Sequence, residues 1–116
     1  MIDMERANEI LKSIAKWIVD NIDLTEFENH REKLFYYKEY SYFSVWIQNG
    51  IFTMSNCYTS DLIKIHKGEI TITDNKAVIG STIMYLINEW NDIKEWILKE
   101  YNEASELKDK FASFTP

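Results

Sequence analysis

Apolar and polar residues alternate with a period of two on both sides of Asn49-Gly50. Both residues tolerate the positive φ of a two-residue type I′ turn, so the pair predicts a hairpin within residues 41–57 and fixes its register. Gln48 then faces Ile51, Ile47 faces Phe52, Trp46 faces Thr53, Val45 faces Met54 and Ser44 faces Ser55. Successive side chains leave a strand on opposite faces. Phe43, Val45, Ile47, Phe52 and Met54 therefore share a wholly apolar face. Tyr42, Ser44, Trp46, Gln48, Ile51, Thr53 and Ser55 share a mixed one. A slip of one residue would undo this sorting, which specifies the register strongly.

A second alternation surrounds Lys67-Gly68. Pairing His66 with Glu69 puts Ile63, Ile65, Ile70 and Ile72 on one face and Lys64, His66, Glu69 and Thr71 on the other. Lysine suits the first turn position less well than asparagine, so a bulged turn is the alternative.

Elsewhere the period is helical. Met4, Ala7, Leu11, Ile14, Ile18 and Ile22 recur at steps of three and four and predict a helix over 3–22, with Asp3 as its N-cap. Thr25 and Glu28 form a capping box that predicts a short second helix over 25–37, beginning near Glu26. From Ile79 to Phe111 another apolar stripe runs almost to the end of the chain, with Asp74 as the expected cap. Gly80 argues for regular helix only from Ser81, and the unusual length argues for a break within 102–105.

The elements sum to one α+β domain over residues 1–116. A four-stranded antiparallel sheet of two hairpins carries an N-terminal helix, a short second helix and a long C-terminal helix. Two helical stripes and one apolar sheet face are all buried if the helices lie on that face as a two-layer sandwich.

Composition changes this picture little. At 116 residues, 46% hydrophobic and with one proline, at the C-terminus, the chain has material for one core. Residues 1–20 lack the basic start and apolar run of a signal peptide. No apolar stretch suffices to cross a bilayer, and one cysteine excludes an internal disulfide. The expected location is the cytoplasm, host cytoplasm if a phage encodes the chain. Eleven of the thirteen basic residues are lysine, a codon bias that suits a low-GC bacterium or its phage.

Charge excludes more. The formal net charge is −6, with 19 acidic against 13 basic residues, which disfavours direct binding to nucleic acid. The sequence carries no glycine-rich phosphate loop, no catalytic serine elbow and no paired-cysteine or His-Glu-x-x-His metal motif. No metal or cofactor is expected. His66 beside Glu69 could act as an acid–base pair in an enzyme or ligand-binding cleft, but the pattern suits an exposed cross-strand polar pair. His30, on the second helix near Glu26 and Arg31, reads the same way. Cys57 reads as a small buried hydrophobe rather than a nucleophile, since no histidine adjoins it.

The expected function is therefore non-enzymatic. Tyr42, Trp46, Gln48, Ile51 and Thr53 on the second sheet face, with Glu89, Asp92 and Glu95 on the last helix, form the candidate protein-binding surface. The expected partner is another protein, such as a nucleic-acid-processing enzyme, with self-pairing through the same face as a competing use. A stoichiometric inhibitor from a phage or mobile element, of the anti-defence or anti-CRISPR type, fits this description. A toxin-neutralising immunity protein and a small adaptor fit it as well.

Overall fold

A computed structural model of the chain describes residues 3–35, 43–56 and 60–113. It contains helix α1 (Met4–Asn21), a 3-10 turn (Leu24–Phe27), strands β1 (Phe43–Gln48), β2 (Ile51–Asn56), β3 (Ser60–His66) and β4 (Glu69–Ile72), and helix α2 (Lys76–Ser113). The strands form one antiparallel sheet in the order β1-β2-β3-β4. Both helices pack on its apolar face, giving the expected α+β architecture.

The β1–β2 register is the one that Asn49-Gly50 dictates, from Gln48 opposite Ile51 to Ser44 opposite Ser55. Asn49 and Gly50 take φ of 53° and 73°, and Lys67 and Gly68 take 50° and 81°. Both turns thus have the two positive φ values of type I′, so lysine at the second turn does not force a bulge there. A register shift occurs elsewhere, between Met54 and Ser55, where Met54 pairs with Ile63 but Ser55 pairs with Asp61. Leu62 is the extra residue. That irregularity lets Leu62 and Ile63 both be buried, where strict alternation would turn one outward.

Val45, Ile47, Phe52, Met54, Ile63 and Ile65 meet Leu11, Ile14, Ile18, Leu86, Ile93 and Ile97 in one core. Trp17 and Trp90 join the helices edge to face at 5.3 Å. At one end of this layer Asn56 is buried and donates from Nδ2 to the Ser81 and Thr82 hydroxyls, each at 3.3 Å. These bonds satisfy a polar side chain that alternation points inward.

Several expectations change at the helix ends. The short second helix is a single 3-10 turn, and Asp23 rather than Thr25 caps it, accepting from the Thr25 N–H at 3.1 Å. Residues 30–34 then run along the free edge of β1. The Leu34 N–H donates to the Ile47 carbonyl at 3.0 Å, and the Asn49 N–H donates to the His30 carbonyl at 2.7 Å. An edge strand exposes unpaired backbone groups, and this segment satisfies some of them. Phe35 follows, buried and edge to face with Trp96 at 6.0 Å, so Trp96 belongs to the packing.

α2 starts at Lys76, not Ser81. Asn75 rather than Asp74 caps it, accepting from the Ala77 and Val78 N–H groups at 3.0 and 3.2 Å. The helix continues through Gly80 and through 102–105 without a break. Its 38 residues span ~57 Å at the α-helical rise, which equals the longest dimension of the molecule, 57 Å. Near its far end, the Tyr101 and Ser105 hydroxyls donate to the two oxygens of the Glu26 carboxylate, and Lys108 donates to the Glu26 carbonyl. Burial and the Glu26 hydrogen bond raise the Tyr101 pKa above its usual 10.0. This polar contact holds α2 where its apolar stripe runs out, since Leu107 is exposed. Among the described residues no helix is long and apolar enough to cross a membrane.

Candidate protein-binding surface

The outer sheet face is built by the same registers that bury the inner one. Trp46, Thr53, Lys64 and Thr71 form one row across the four strands, and Gln48, Ile51, His66 and Glu69 form the next. Each side chain has a fixed place because the adjacent core residues leave no freedom to slip. Trp46 and Ile51 are half-buried on neighbouring rows. Among the described residues they are the two large apolar groups of this face, and polar side chains surround them.

The sequence-derived list fares unevenly on this surface. Trp46 lies on the outer face as expected, with the Lys33 ammonium 4.4 Å above its ring centroid. Gln48 is half-buried and donates from Nε2 to the Arg31 carbonyl at 2.7 Å, so its amide is already engaged. Ile51 keeps its predicted exposure in part. Thr53 does not: it is buried, at 4% exposure. It occupies the inner strand position between Trp46 on one side and Lys64 on the other, and these longer side chains flank it. Ser44 and Ser55 on the same face are buried too. Tyr42 lies outside the described residues, as does Cys57.

The three acids do not join this face. Asp92 and Glu95 are exposed on the side of α2 turned away from the core, while Ile93 and Ile97 between and beyond them are buried in it. The sheet presents Trp46 on the opposite side of the molecule, with both layers in between. Glu89 is half-buried on the flank of α2. The sequence thus grouped two separate surfaces, because helical and strand periodicities each report a face but not how the faces are turned.

His66 and Glu69 stand opposite each other at the β3–β4 turn, both exposed. His30 is exposed on the segment beside β1, where its Nδ1 lies 3.1 Å from the Glu32 carbonyl oxygen. Among the described residues no group of three or more His, Cys, Asp or Glu side chains could hold a metal ion.

Sequence reasoning missed two exposed groups on α2, Met84 and Tyr85, at 49% and 41% exposure. The signal was available: both fall off the apolar stripe, where polar residues are the norm. No family model, no curated protein and no solved structure matches the chain.

Proposed function

We propose that the protein binds another protein and acts by occupying its surface, without turnover. One observation carries this reading. Trp46 and Ile51 stand side by side, half-exposed, on the sheet face opposite both helices, framed by Gln48, Lys64, His66 and Glu69. An aromatic anchor with an aliphatic neighbour inside a polar rim is the composition of an interface centre. The strands beneath are paired in one sheet, which limits the backbone entropy to be lost on binding.

Charge narrows the partner class. A net charge of −6 accelerates encounter with a basic partner and opposes an acidic one. Proteins that process nucleic acids carry such basic surfaces, and an inhibitor of one, as phages and mobile elements encode against host defences, suits this chain. The exposed Asp92 and Glu95 contribute to the long-range field rather than to the Trp46 contact.

The test is affinity capture from the natural host with three baits: wild type, Trp46→Ala and His66→Ala. A protein recovered one-to-one by wild type and His66→Ala, and lost with folded Trp46→Ala, supports the reading. A truncated aromatic anchor costs about 2 kcal/mol or more, roughly thirtyfold in affinity. A partner retained by Trp46→Ala refutes the assignment of the face. Substoichiometric activity that disappears in His66→Ala refutes occupancy itself.

A further inference from the structure

The two edges of the sheet are finished differently. Along β1, residues 30–34 bond to the Ile47 carbonyl and the Asn49 N–H. β4, the other edge, has no such cover among the described residues. Glu69 pairs with His66 across a two-residue turn, so Glu69 and Thr71 exchange hydrogen bonds with β3. The N–H and C=O groups of Ile70 and Ile72 therefore point away from the sheet, into the open edge. Edge strands are ordinarily blunted by charge, proline or a bulge. Residues 70–73 read Ile-Thr-Ile-Thr, all β-branched and uncharged, in a chain that is 28% charged.

We propose that β4 pairs with β4 of a second copy, antiparallel, about a two-fold axis at Thr71 perpendicular to the sheet. In such an isologous contact, each position before Thr71 lies opposite the position equally far after it in the other copy. Ile70 of each copy then lies opposite Ile72 of the other, and each such pair exchanges two backbone hydrogen bonds. This register uses strand residues alone. An axis at Ile70 would bring in Gly68, which the turn holds at a φ of 81°, and an axis at Ile72 would bring in Asp74, beyond the strand.

The side chains of β4 suit a copy of themselves. Residues directly opposite in a sheet share a face, so Ile70 and Ile72 meet on the core side. Each exposed Ile70 is then covered by an isoleucine, and the apolar layer continues across the axis. Among the described residues five large apolar side chains are exposed, and two of them, Ile70 and Val19, lie at this margin. Val19 lines a cleft beside the Lys67-Gly68 turn with Ile65, the residue paired with Ile70. On the outer face Thr71 meets Thr71 and Glu69 meets Thr73. No like charges stand directly opposite, despite the net charge of −6.

A second copy also closes the assembly. Pairing through β4 leaves only the two β1 edges, each already lined by its own residues 30–34, so the sheet stops growing at two copies. A two-fold perpendicular to the sheet keeps both outer faces on one side. The two Trp46 side chains would then face the same way, and neither takes part in the contact. The pairing is independent of the function proposed for that face.

Sedimentation of the full chain from ~1 μM to ~1 mM tests the proposal, a range that covers interfaces of modest size. The expected result is a reversible dimer, with the Ile70 and Ile72 amides exchanging hydrogen more slowly as it forms. Thr71→Glu, at an exposed position, is expected to keep the circular dichroism of the native fold. It should weaken the dimer at least about tenfold, because two carboxylates would meet at the axis. Met84→Glu adds the same charge at an exposed site on α2 and is expected to leave the dimer intact. Ile70→Pro removes an outward N–H that β3 does not use, a change edge strands tolerate, and is expected to abolish the dimer. A monomer at every concentration overturns the proposal, as does a dimer that survives Thr71→Glu. A dimer dissociated by Met84→Glu or by Trp46→Ala also overturns it, by placing self-association on α2 or on the outer sheet face.

Discussion

The two hairpins share a turn geometry and differ in what surrounds them. Asn49-Gly50 and Lys67-Gly68 each place two consecutive residues at positive φ, and each joins strands in strict antiparallel register. In the first hairpin Val45, Ile47, Phe52 and Met54 are completely buried. In the second, β4 is exposed along most of its length, and Ile70 is 42% exposed although alternation puts it on the core side. β2 lies inside the sheet, whereas β4 is its edge, at the margin of the area the helices cover. The turns differ in the same sense. A Cβ on Gly50 would sit 3.0 Å from the Glu28 Cα, while one on Gly68 would meet nothing within 4 Å. Alternation therefore states which way a side chain points, and the position of the strand decides how much that direction buries.

The most damaging substitution should be Ile47→Asp. An unpaired carboxylate in the core costs several kcal/mol, comparable to the whole stability of a small domain. Circular dichroism at 25 °C should report an unfolded chain; a native spectrum would contradict the assignment of the inner face. Next, Ile63→Ala should lose about 2–5 kcal/mol in urea denaturation and Ile70→Ala less than about 1 kcal/mol. Equal losses would erase the distinction between the central and edge strands.

A subtler contrast separates the glycines. Ala at either positive-φ position costs about 1–2 kcal/mol from the backbone alone. Gly50→Ala should cost more than Gly68→Ala, because it adds the clash with Glu28. Thermal melts that rank them the other way would mean that the Glu28 segment gives way freely. The smallest effect expected is a gain: Lys67→Asn should stabilise by about 0.5 kcal/mol, since asparagine tolerates the left-handed region better. No change would indicate that lysine meets no strain at that turn.

Much of the fold was legible because its determinants are local. Asn49-Gly50 set the register of a whole hairpin, and three-and-four spacing marked α1 and α2. The candidate surface was legible only in part. Trp46 and Ile51 follow from register, but Thr53 had to be seen between its neighbours to be recognised as buried. Glu89, Asp92 and Glu95 shared an acidic pattern with no hint that the folded molecule turns them away from the sheet. Met84 and Tyr85 lie off the buried stripe, where helical periodicity marks only that a residue faces solvent.

By itself, then, the sequence determined the turns, the strand faces and the helix stripes, because φ preference and side-chain periodicity act between residues a few positions apart. Tertiary structure decided the rest. It reduced the expected second helix to the turn Leu24–Phe27 and laid residues 30–34 along β1, where the Ile47 carbonyl accepts a hydrogen bond that no β-strand supplies. It brought Leu62 inside through the shift after Met54 and carried α2 unbroken across Gly80. Each of these outcomes depends on partners far apart in the chain, whose burial and hydrogen bonds outweigh the weaker local preferences.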